Sequence, residues 1–371
     1  MECTMSSESL RNDVVASVQS KNLPSLQVLR FVAAFSVVLF HLGSGMAVEF
    51  SSSTNVFDFG TLGVDIFFVL SGFIISYTAN PQRGIGYFAI RRFARVVPLY
   101  WLLTLAVIAI ATIKPSLLNS TTVTMEAVIK SMLFIPYEKS SGAVQPLLFL
   151  GWTLCYEMFF YVIYAFCLLW KNKADMLCVG AFLAILAAHF ISPQGSVLWR
   201  FYTNPIVFEF ALGILLCKAF IHWEAFRRCS KLASIGLIVL ALIIYPPLNA
   251  YMGQFNVTAP GLFAVMVVAG FLFWKAPQPG VQNIVLSSLV LFGNASYGLY
   301  LMHPYLIQAS IKLLGKSVSL QMFSVLMAIT ALATVAVSVA VFAFIEKPIQ
   351  SIILNLAKKI KTLTPEPAPF V

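Results

Sequence analysis

The sequence predicts an all-α fold, a polytopic membrane helix bundle with both termini in the cytoplasm. Hydrophobic residues make up 60% of the 371 residues and charged residues only 10%, whereas a soluble domain is about half apolar and a quarter charged. Apolar runs long enough to cross a bilayer follow one another, and we expect about ten transmembrane helices. Of the lysines and arginines outside the first span, 17 fall on one side of that topology and six on the other, which assigns the richer side to the cytoplasm.

A single membrane domain, residues 25–348, is predicted between two tails. Residues 1–24 are polar and serine-rich and lack the features of a signal peptide, so we expect a disordered cytoplasmic tail. Residues 349–371 are expected to form a cytoplasmic C-terminal tail with a proline-rich end that need not fold. The predicted spans are approximately Leu26–Leu42, Leu62–Thr78, Val97–Ile113, a fourth beginning at Gly151, Met176–Ile191, Pro205–Ala219, Leu232–Tyr245, Gly261–Trp274, Ile284–Gln308 and Met322–Ile345.

The connecting segments carry most of the charge. Ala79–Val96 is predicted to be an arginine-rich loop, with Pro98 in the first turn of the span that follows. The longest loop, Lys114–Gly151, contains an amphipathic helix predicted over Thr124–Phe134 at the membrane interface. The net charge of +10 lies mainly in alternate loops, so it indicates orientation next to membrane lipid and no nucleic-acid partner. The six cysteines form no CxxC pair, and we expect neither a metal site nor disulfides.

The first span carries two ionisable residues, Arg30 near its start and His41 at its end. Eleven residues are about three helical turns plus roughly 20°, so both side chains share one face and lie some 16 Å apart. The same face carries three small residues, Ala33, Ala34 and Val37. Ionisable groups inside a membrane are costly and usually face an internal cavity. The alternative is that each residue is only an interfacial anchor.

Polar residues from other spans are predicted at the depth of His41, in the outer half of the membrane. Asp65 and Glu157 lie near the starts of inward-running spans, and His303 lies near the end of an outward-running one. A supporting polar pocket is predicted from Asp65, Trp152, Asn294, Ser296, Tyr297, Tyr300 and His303. Asp65 is expected to be mainly structural, pairing with another span. His303, just before Pro304, fits an interfacial position equally well.

The predicted inner side carries arginines instead. Arg92 and Arg95 are three residues apart and would share a helix face, with Arg91 beside them and Arg30 near the inner end of the first span. Guanidinium forks match phosphate oxygens, and no acidic residue nearby is expected to neutralise them. The alternative is that these arginines only set the topology.

Five stretches, taken in order, resemble one family. Arg30-x10-His41, GVDIFFVLSGF, RRFARVVPLYW, WTLCYEMFFY and GNASYGLYLMHP are similar to successive motifs of the acyltransferase-3 family of integral membrane acyltransferases, over about Leu26–Lys347. The resemblance is closest to the stand-alone exopolysaccharide O-acetyltransferases. It implies a bacterial inner-membrane enzyme with acetyl-CoA as donor substrate, no permanently bound cofactor, and a carbohydrate or lipid-linked saccharide acceptor. It also implies that Arg92 and Arg95 bind acyl-CoA phosphates and that His41 is catalytic, with Glu157 beside it.

Three functions therefore compete. In an acyltransferase, His41 would act as general base on an acceptor hydroxyl, and Glu157 would fix its tautomer; an acyl-histidine intermediate stays open. In a proton-coupled transporter, His41, Asp65, Glu157 and His303 would form a relay. Transport also predicts spans interrupted by glycine or proline at the midplane, which the sequence does not make obvious. In a structural subunit, the polar residues would only hold helices together.

Overall fold

The computed structural model describes residues 23–51, 54–114, 122–192, 195–227, 229–251, 258–274, 283–314 and 319–363. Of the predicted tails, 1–24 and 349–371, residues 1–22 and 364–371 lie outside these residues, and 349–363 belong to a helix. The helices, numbered α1 to α15 in chain order, are Pro24–Glu49, Leu62–Thr78, Gly84–Ile113, Met125–Met132, Gly151–Cys167, Ala174–Ile191, Val197–Tyr202, Phe208–His222, Glu224–Arg227, Lys231–Tyr251, Thr258–Phe273, Ile284–Asn294, Ser296–Leu314, Leu320–Val341 and Lys347–Leu363. The described strands are two residues each, β1 (Tyr137–Glu138) and β2 (Val144–Gln145), paired antiparallel. The all-α prediction is confirmed.

Membrane character follows from the length and composition of these helices. Among the described residues, seven helical runs are long and apolar enough to cross a membrane, or eight when α12 and α13 count as one broken span. One run, Gly151–Ile191, contains the predicted fourth and fifth spans, joined through a 3-10 turn at Leu168–Lys173. Lys171 in that turn has a φ of 43°, which interrupts regular helical geometry. The polytopic bundle is therefore confirmed, whereas the number ten and the cytoplasmic termini stay predictions.

The chain divides into two compact units. The first comprises the described parts of 1–33, 61–79 and 205–294, and the second those of 34–60, 80–204 and 295–371. In the first unit, α2 packs closely on α8 because glycines stand at the contacts. A Cβ atom at Gly72 would overlap the Phe210 carbonyl, and one at Gly213 would overlap that of Val69. Small residues at such positions let helix backbones approach in a membrane.

The second unit holds α3, α5, α6, α13, α14 and α15, in which α13 packs on α14, α5 on α6, and α15 on α3. The helix predicted in the long loop is present as α4, whereas its interfacial position stays a prediction. Its first turn is capped by Thr124, whose hydroxyl accepts from the amide of Ala127 at 3.1 Å. The hydroxyl of Tyr100 donates to the Ser131 carbonyl at 2.9 Å, which ties α4 to α3. The long loop is therefore anchored to a membrane helix.

The arginine-rich segment is a helix, and the predicted loop Ala79–Val96 is wrong over most of its length. Helix α3 begins at Gly84 and runs unbroken to Ile113. Pro98 thus lies inside the helix and not in its first turn. Hydropathy identifies only the apolar part of this helix. Apolar residues nevertheless recur through the arginine-rich part, where Phe88, Ala94 and Val96 are buried. The arginines of this segment are therefore held on a rigid element.

The predicted ninth span is interrupted, which the sequence did not make obvious. Helix α12 ends at Asn294, and α13 begins at Ser296 after the single residue Ala295. Gly293, the last residue but one of α12, lies so close to Gln27 that a Cβ atom would overlap its carbonyl. The interruption leaves α13 as a separate element of the second unit.

Candidate active site

His41 is half-buried on α1, in the part of that helix that belongs to the second unit. Its Nδ1 lies 2.9 Å from the carbonyl oxygen of Val37, one turn earlier. The rings of Phe40 and Phe149 lie edge-on to the imidazole, with centroids 5.0 and 5.8 Å away. The aromatic contacts and the backbone bond together fix the ring orientation.

A short loop is tied to α1 beside this histidine. The side-chain amide of Asn55 donates to the Phe40 carbonyl at 2.9 Å and to the Ser44 hydroxyl at 3.0 Å. Asn55 also lies so close to Gly43 that a larger residue there would collide with its side chain. The loop therefore holds the last turns of α1 around His41.

His303 is fully buried on α13, as expected of a residue in the predicted polar pocket, whereas an exposed interfacial anchor was the alternative. Its Nδ1 lies 3.1 Å from the Leu299 carbonyl. Pro304 follows directly and has no amide hydrogen, which leaves the Tyr300 carbonyl without its usual helical partner. The side chain of His303 also interacts with that carbonyl. Burial of the imidazole is possible because local backbone oxygens accept its hydrogen.

The side chains of His41 and His303 are in contact. Nε2 of His303 lies 3.2 Å from Nδ1 of His41, with ring centroids 4.9 Å apart. A carbonyl oxygen only accepts, so the hydrogen of neutral His303 is on Nδ1, facing Leu299, and its Nε2 is an acceptor. The hydrogen of neutral His41 is then on Nδ1, shared between Val37 and His303. This leaves Nε2 of His41 unprotonated and without a hydrogen-bond partner among the described residues, as a general base requires.

Three hydroxyl residues of the predicted polar pocket, Ser296, Tyr297 and Tyr300, lie on α13, the helix that carries His303. The hydroxyl of Tyr300 hydrogen-bonds that of Thr153 at 3.0 Å, and its ring centroid is 6.1 Å from that of His303. Tyr297 donates its one hydroxyl hydrogen to the Val96 carbonyl at 2.7 Å. Ser296 is fully buried, and in the described part of the chain its hydroxyl has no hydrogen-bond partner. Ser296 therefore keeps a hydroxyl hydrogen that no described residue accepts. Trp152 is half-buried, and its ring centroid is 6.0 Å from that of Tyr156.

Glu157 lies on α5 and is half-buried. Its carboxylate accepts from the hydroxyl of Tyr161, one turn further along the same helix. It also interacts electrostatically with Tyr297 and Tyr300. Within the described residues, the hydrogen bonds of His41 go to Val37 and His303. The predicted role of Glu157 beside His41 stays a prediction.

An acidic residue lies beside one of the arginines predicted to bind the donor, so the expectation that nothing acidic lies nearby is wrong for Arg95. Nη1 of Arg95 forms an ion pair with Oε1 of Glu346 at 3.3 Å. Gln350 donates to the same carboxylate oxygen at 3.1 Å. Nη2 of Arg95 is buried and has no hydrogen-bond partner among the described residues. The guanidinium of Arg92 lies over the ring of Tyr161, 5.9 Å from its centroid.

Glu346 was missed at the sequence level. It ends a π-helical turn, Phe342–Glu346, between α14 and α15, and only 3% of it is exposed. A π-turn inserts a residue into the helical ladder and changes the direction of the following side chains. The available signal was a carboxylate at the end of an apolar run, because ionisable residues at such positions usually pair with another residue or have a functional role.

Three predicted site residues belong to the first unit. Arg30 lies on α1, and its guanidinium donates to the side chain of Gln27 at 3.4 Å. Asp65 on α2 interacts with Glu209 of α8, a residue 1% exposed. Asn294 is the half-buried last residue of α12. The interhelical partner expected for Asp65 is thus an acid.

A bundle of membrane type that buries an oriented imidazole and carries arginines on a neighbouring helix has the layout of an integral membrane transferase. The model of one family, described as an acyltransferase domain, matches residues 23–343. The chain belongs to this acyltransferase-3 family. It is a membrane acyltransferase, and this membership disfavours the transporter interpretation.

Curated relatives carry related names. The exopolysaccharide production protein ExoZ of Rhizobium meliloti is 30% identical over 302 residues, covering 79% of this chain and 90% of the relative. Acyltransferase MdmB of Streptomyces mycarofaciens is 23% identical, covering 79% and 81%. Peptidoglycan O-acetyltransferase OatA of Listeria monocytogenes is 27% identical, and the match covers 76% of this chain but 49% of OatA. No solved structure matches the chain.

Proposed function

We propose that the protein transfers an acetyl group from acetyl-CoA to a hydroxyl group of an extracytoplasmic or lipid-linked carbohydrate. The observation that carries the proposal is the His41–His303 pair, 3.2 Å apart, which leaves Nε2 of His41 as an unprotonated, oriented base. The names of two relatives, one in exopolysaccharide production and one a peptidoglycan O-acetyltransferase, support a carbohydrate acceptor.

The proposed reaction needs one base. Nε2 of His41 takes the proton of the acceptor hydroxyl as its oxygen attacks the thioester carbonyl. The tetrahedral intermediate collapses, the carbon–sulfur bond breaks, and the thiolate leaves with the proton from the imidazolium. An ester and free CoA are the products. His303 would stabilise the imidazolium through its Nε2 acceptor, since Nδ1 of His41 keeps its hydrogen throughout.

The donor would be held by arginines. Arg92 and Arg95 are proposed to bind acetyl-CoA phosphates, with the uncommitted Nη2 of Arg95 as one donor to a phosphate oxygen. Arg30 is proposed to assist from the helix that also carries His41. Acetyl-CoA is a substrate, and no permanently bound cofactor is part of the proposal.

The proposed location is the bacterial inner membrane, with both termini in the cytoplasm. The arginine end of α3 would face cytoplasmic acetyl-CoA, as the charge asymmetry of the sequence predicts. Glu157 is proposed to support the site through Tyr161 and the hydroxyls of α13, since its hydrogen bond goes to Tyr161.

The direct test uses full-length protein in phospholipid vesicles with acetyl-CoA labelled in the acetyl group and an exopolysaccharide acceptor. We expect alkali-labile label in the carbohydrate, dependent on His41. Label from a longer acyl-CoA in preference to acetyl-CoA would overturn the acetyl assignment. Absence of transfer from any acyl-CoA, with proton-coupled solute uptake by the same vesicles, would favour the transporter instead.

A further inference from the structure

A second arginine pair stands at the beginning of α3, apart from the donor arginines Arg92 and Arg95. Nη1 of Arg83 and Nη1 of Arg91 each lie 2.7 Å from the hydroxyl oxygen of Tyr87. Because both nitrogens bond the same oxygen, they cannot be more than twice that distance apart. The guanidinium carbons lie 4.8 and 5.4 Å from the centre of the Tyr87 ring. One neutral phenol therefore holds two cations side by side.

This pair has no counter-charge among the described residues. Arg95 has Glu346, whereas neither Arg83 nor Arg91 forms an ion pair in the part of the chain that the structure describes. Both side chains are exposed. Two like charges at this separation repel each other, and an anion that accepts from both relieves the repulsion. Guanidinium groups so spaced match two oxygens of one phosphate.

The backbone that presents the pair is well defined. Asn80 caps the 3-10 turn Pro81–Arg83, its side chain accepting from the amide of Gln82 at 3.1 Å. Tyr87 and Arg91 are four residues apart on α3 and share one helix face. Arg83 lies in the turn before the helix, and Gly84, with a φ of 75°, connects that turn to α3. The hydrogen bond from Arg83 to Tyr87 joins the turn to the start of the helix.

The surroundings indicate which phosphate is available. The Pro81–Arg83 turn packs against the Leu168–Lys173 turn. There Trp170 is 51% exposed, and Lys171 and Lys173 are exposed. Tryptophan beside lysines at the end of apolar helices is the composition of a membrane–water interface. Basic groups at that level attract anionic lipid headgroups.

We propose that Arg83, Tyr87 and Arg91 form a phosphate site, separate from the donor arginines, that binds the headgroup phosphate of an anionic phospholipid. Lys171 and Lys173 add positive potential next to it. Acetyl-CoA also carries phosphates, so the test must separate lipid binding from donor binding.

The test measures binding of dioleoylphosphatidylglycerol to the full-length protein in detergent by native mass spectrometry, with dioleoylphosphatidylcholine as the zwitterionic comparison. Replacing both arginines, Arg83→Gln with Arg91→Gln, should weaken phosphatidylglycerol binding roughly thirtyfold, since two cations near an anionic headgroup are lost. The matched control, Lys114→Gln with Arg200→Gln, removes two exposed charges elsewhere and should leave binding within about twofold of wild type.

Tyr87→Phe keeps every charge and removes only the shared oxygen, so it tests the site even if the double variant fails to insert. We expect it to weaken phosphatidylglycerol binding several-fold and to leave acetyl-CoA affinity unchanged. Equal losses in the site and control variants would overturn the proposal, because the effect would then be one of net charge. Loss of acetyl-CoA affinity with intact lipid binding would also overturn it and assign the pair to the donor.

Discussion

Two polar pairs of the second unit, His41–His303 and Arg95–Glu346, differ in almost every physical respect. The histidine pair is joined by one hydrogen bond between rings that are half-buried and fully buried, and backbone carbonyls determine where each hydrogen lies. The Arg95–Glu346 pair is an ion pair with one side chain 25% exposed and one donor uncommitted. The first arrangement fixes a proton, and the second leaves a charge available to a ligand.

The two pairs are suited to the different roles proposed for them. A general base needs one ring nitrogen with a free lone pair, and the hydrogen bonds of neutral His41 determine which nitrogen that is. A phosphate site must bind and later release a multiply charged group, and an internal carboxylate moderates its attraction for anions. Substitutions in the histidine pair should therefore change the rate of acetyl transfer, whereas substitutions in the Arg95–Glu346 pair should change the affinity for acetyl-CoA.

The largest effect is expected at the histidine that carries the free nitrogen. His41→Gln places an amide near the position of Nε2 but provides no base, so acetyl transfer at saturating acetyl-CoA should fall by about two to four orders of magnitude. Wild-type activity should decline as the pH falls through the range in which an imidazole protonates, and the residual activity of the variant should lack this decline. The check is the rate against pH, with acetyl-CoA affinity as the control; near-normal transfer would place catalysis elsewhere.

The donor arginine should affect affinity instead. Arg95→Ala should weaken acetyl-CoA binding by about 1.5–3 kcal/mol, because a charge-assisted phosphate contact is lost. The maximal transfer rate should change little. Arg95→Lys should restore only part of the affinity, since a point charge does not reproduce the fork. Equilibrium binding of acetyl-CoA measures this, and unchanged affinity in Arg95→Ala would leave the residue with a topological role only.

His303 should show an intermediate effect through its partner. His303→Asn lacks an acceptor at the position of Nε2 and should slow transfer by about ten- to a hundredfold, as for other residues that orient a catalytic group. His303→Gln can place an amide oxygen there and should be milder. Because both are amides, the pair controls for loss of the imidazole itself. Equal activity in the two variants would argue against orientation through Nε2.

The smallest effect is expected at Glu346, where the direction of the change in KM is itself informative. A carboxylate about 6 Å from a bound phosphate costs on the order of 3 kcal/mol per unit charge at an effective dielectric constant of 20. That exceeds the roughly 1 kcal/mol of a lost hydrogen bond to Arg95. Solvent and salt reduce this difference of at most about 2 kcal/mol, because Arg95 is 25% exposed, so Glu346→Gln should lower the KM for acetyl-CoA several-fold. Gln350→Ala, which removes the other partner of Glu346 without a charge change, should leave KM nearly unaltered; a raised KM in Glu346→Gln would mean that the carboxylate aims Arg95.

Hydropathy predicted most of the helices because burial in lipid needs long apolar runs. The second predicted span, Leu62–Thr78, coincides with α2 at both ends. The same criterion failed at Gly84–Val96, where arginines lower the hydropathy although the helix continues. It also failed at Ala295, since an interrupted span keeps its apolar composition. Backbone geometry at such places depends on packing and is invisible to a composition window.

Residue type identified the participants of the site better than their partners. His41 and Arg95 stand out because ionisable groups in apolar segments are costly. Their partners, His303 and Glu346, lie 262 and 251 positions away in the chain, and a single sequence contains no signal for such contacts. Glu157 has the right chemistry to orient His41, and its carboxylate accepts from the hydroxyl of Tyr161, a neighbour on its own helix. Its role beside His41 stays a prediction.

The central claim is that His303 acts on transfer through His41, and a double-mutant cycle tests it most directly. The four proteins are wild type, His41→Gln, His303→Asn and the double variant, compared by single-turnover acetyl transfer at saturating acetyl-CoA. If His303 acts only by orienting His41, replacing His303 should have no further effect once His41 has been replaced. The double variant should then transfer acetyl groups as slowly as His41→Gln and no more slowly. A double variant slower by the full ten- to hundredfold factor of His303→Asn would contradict the account, because the two histidines would then act independently.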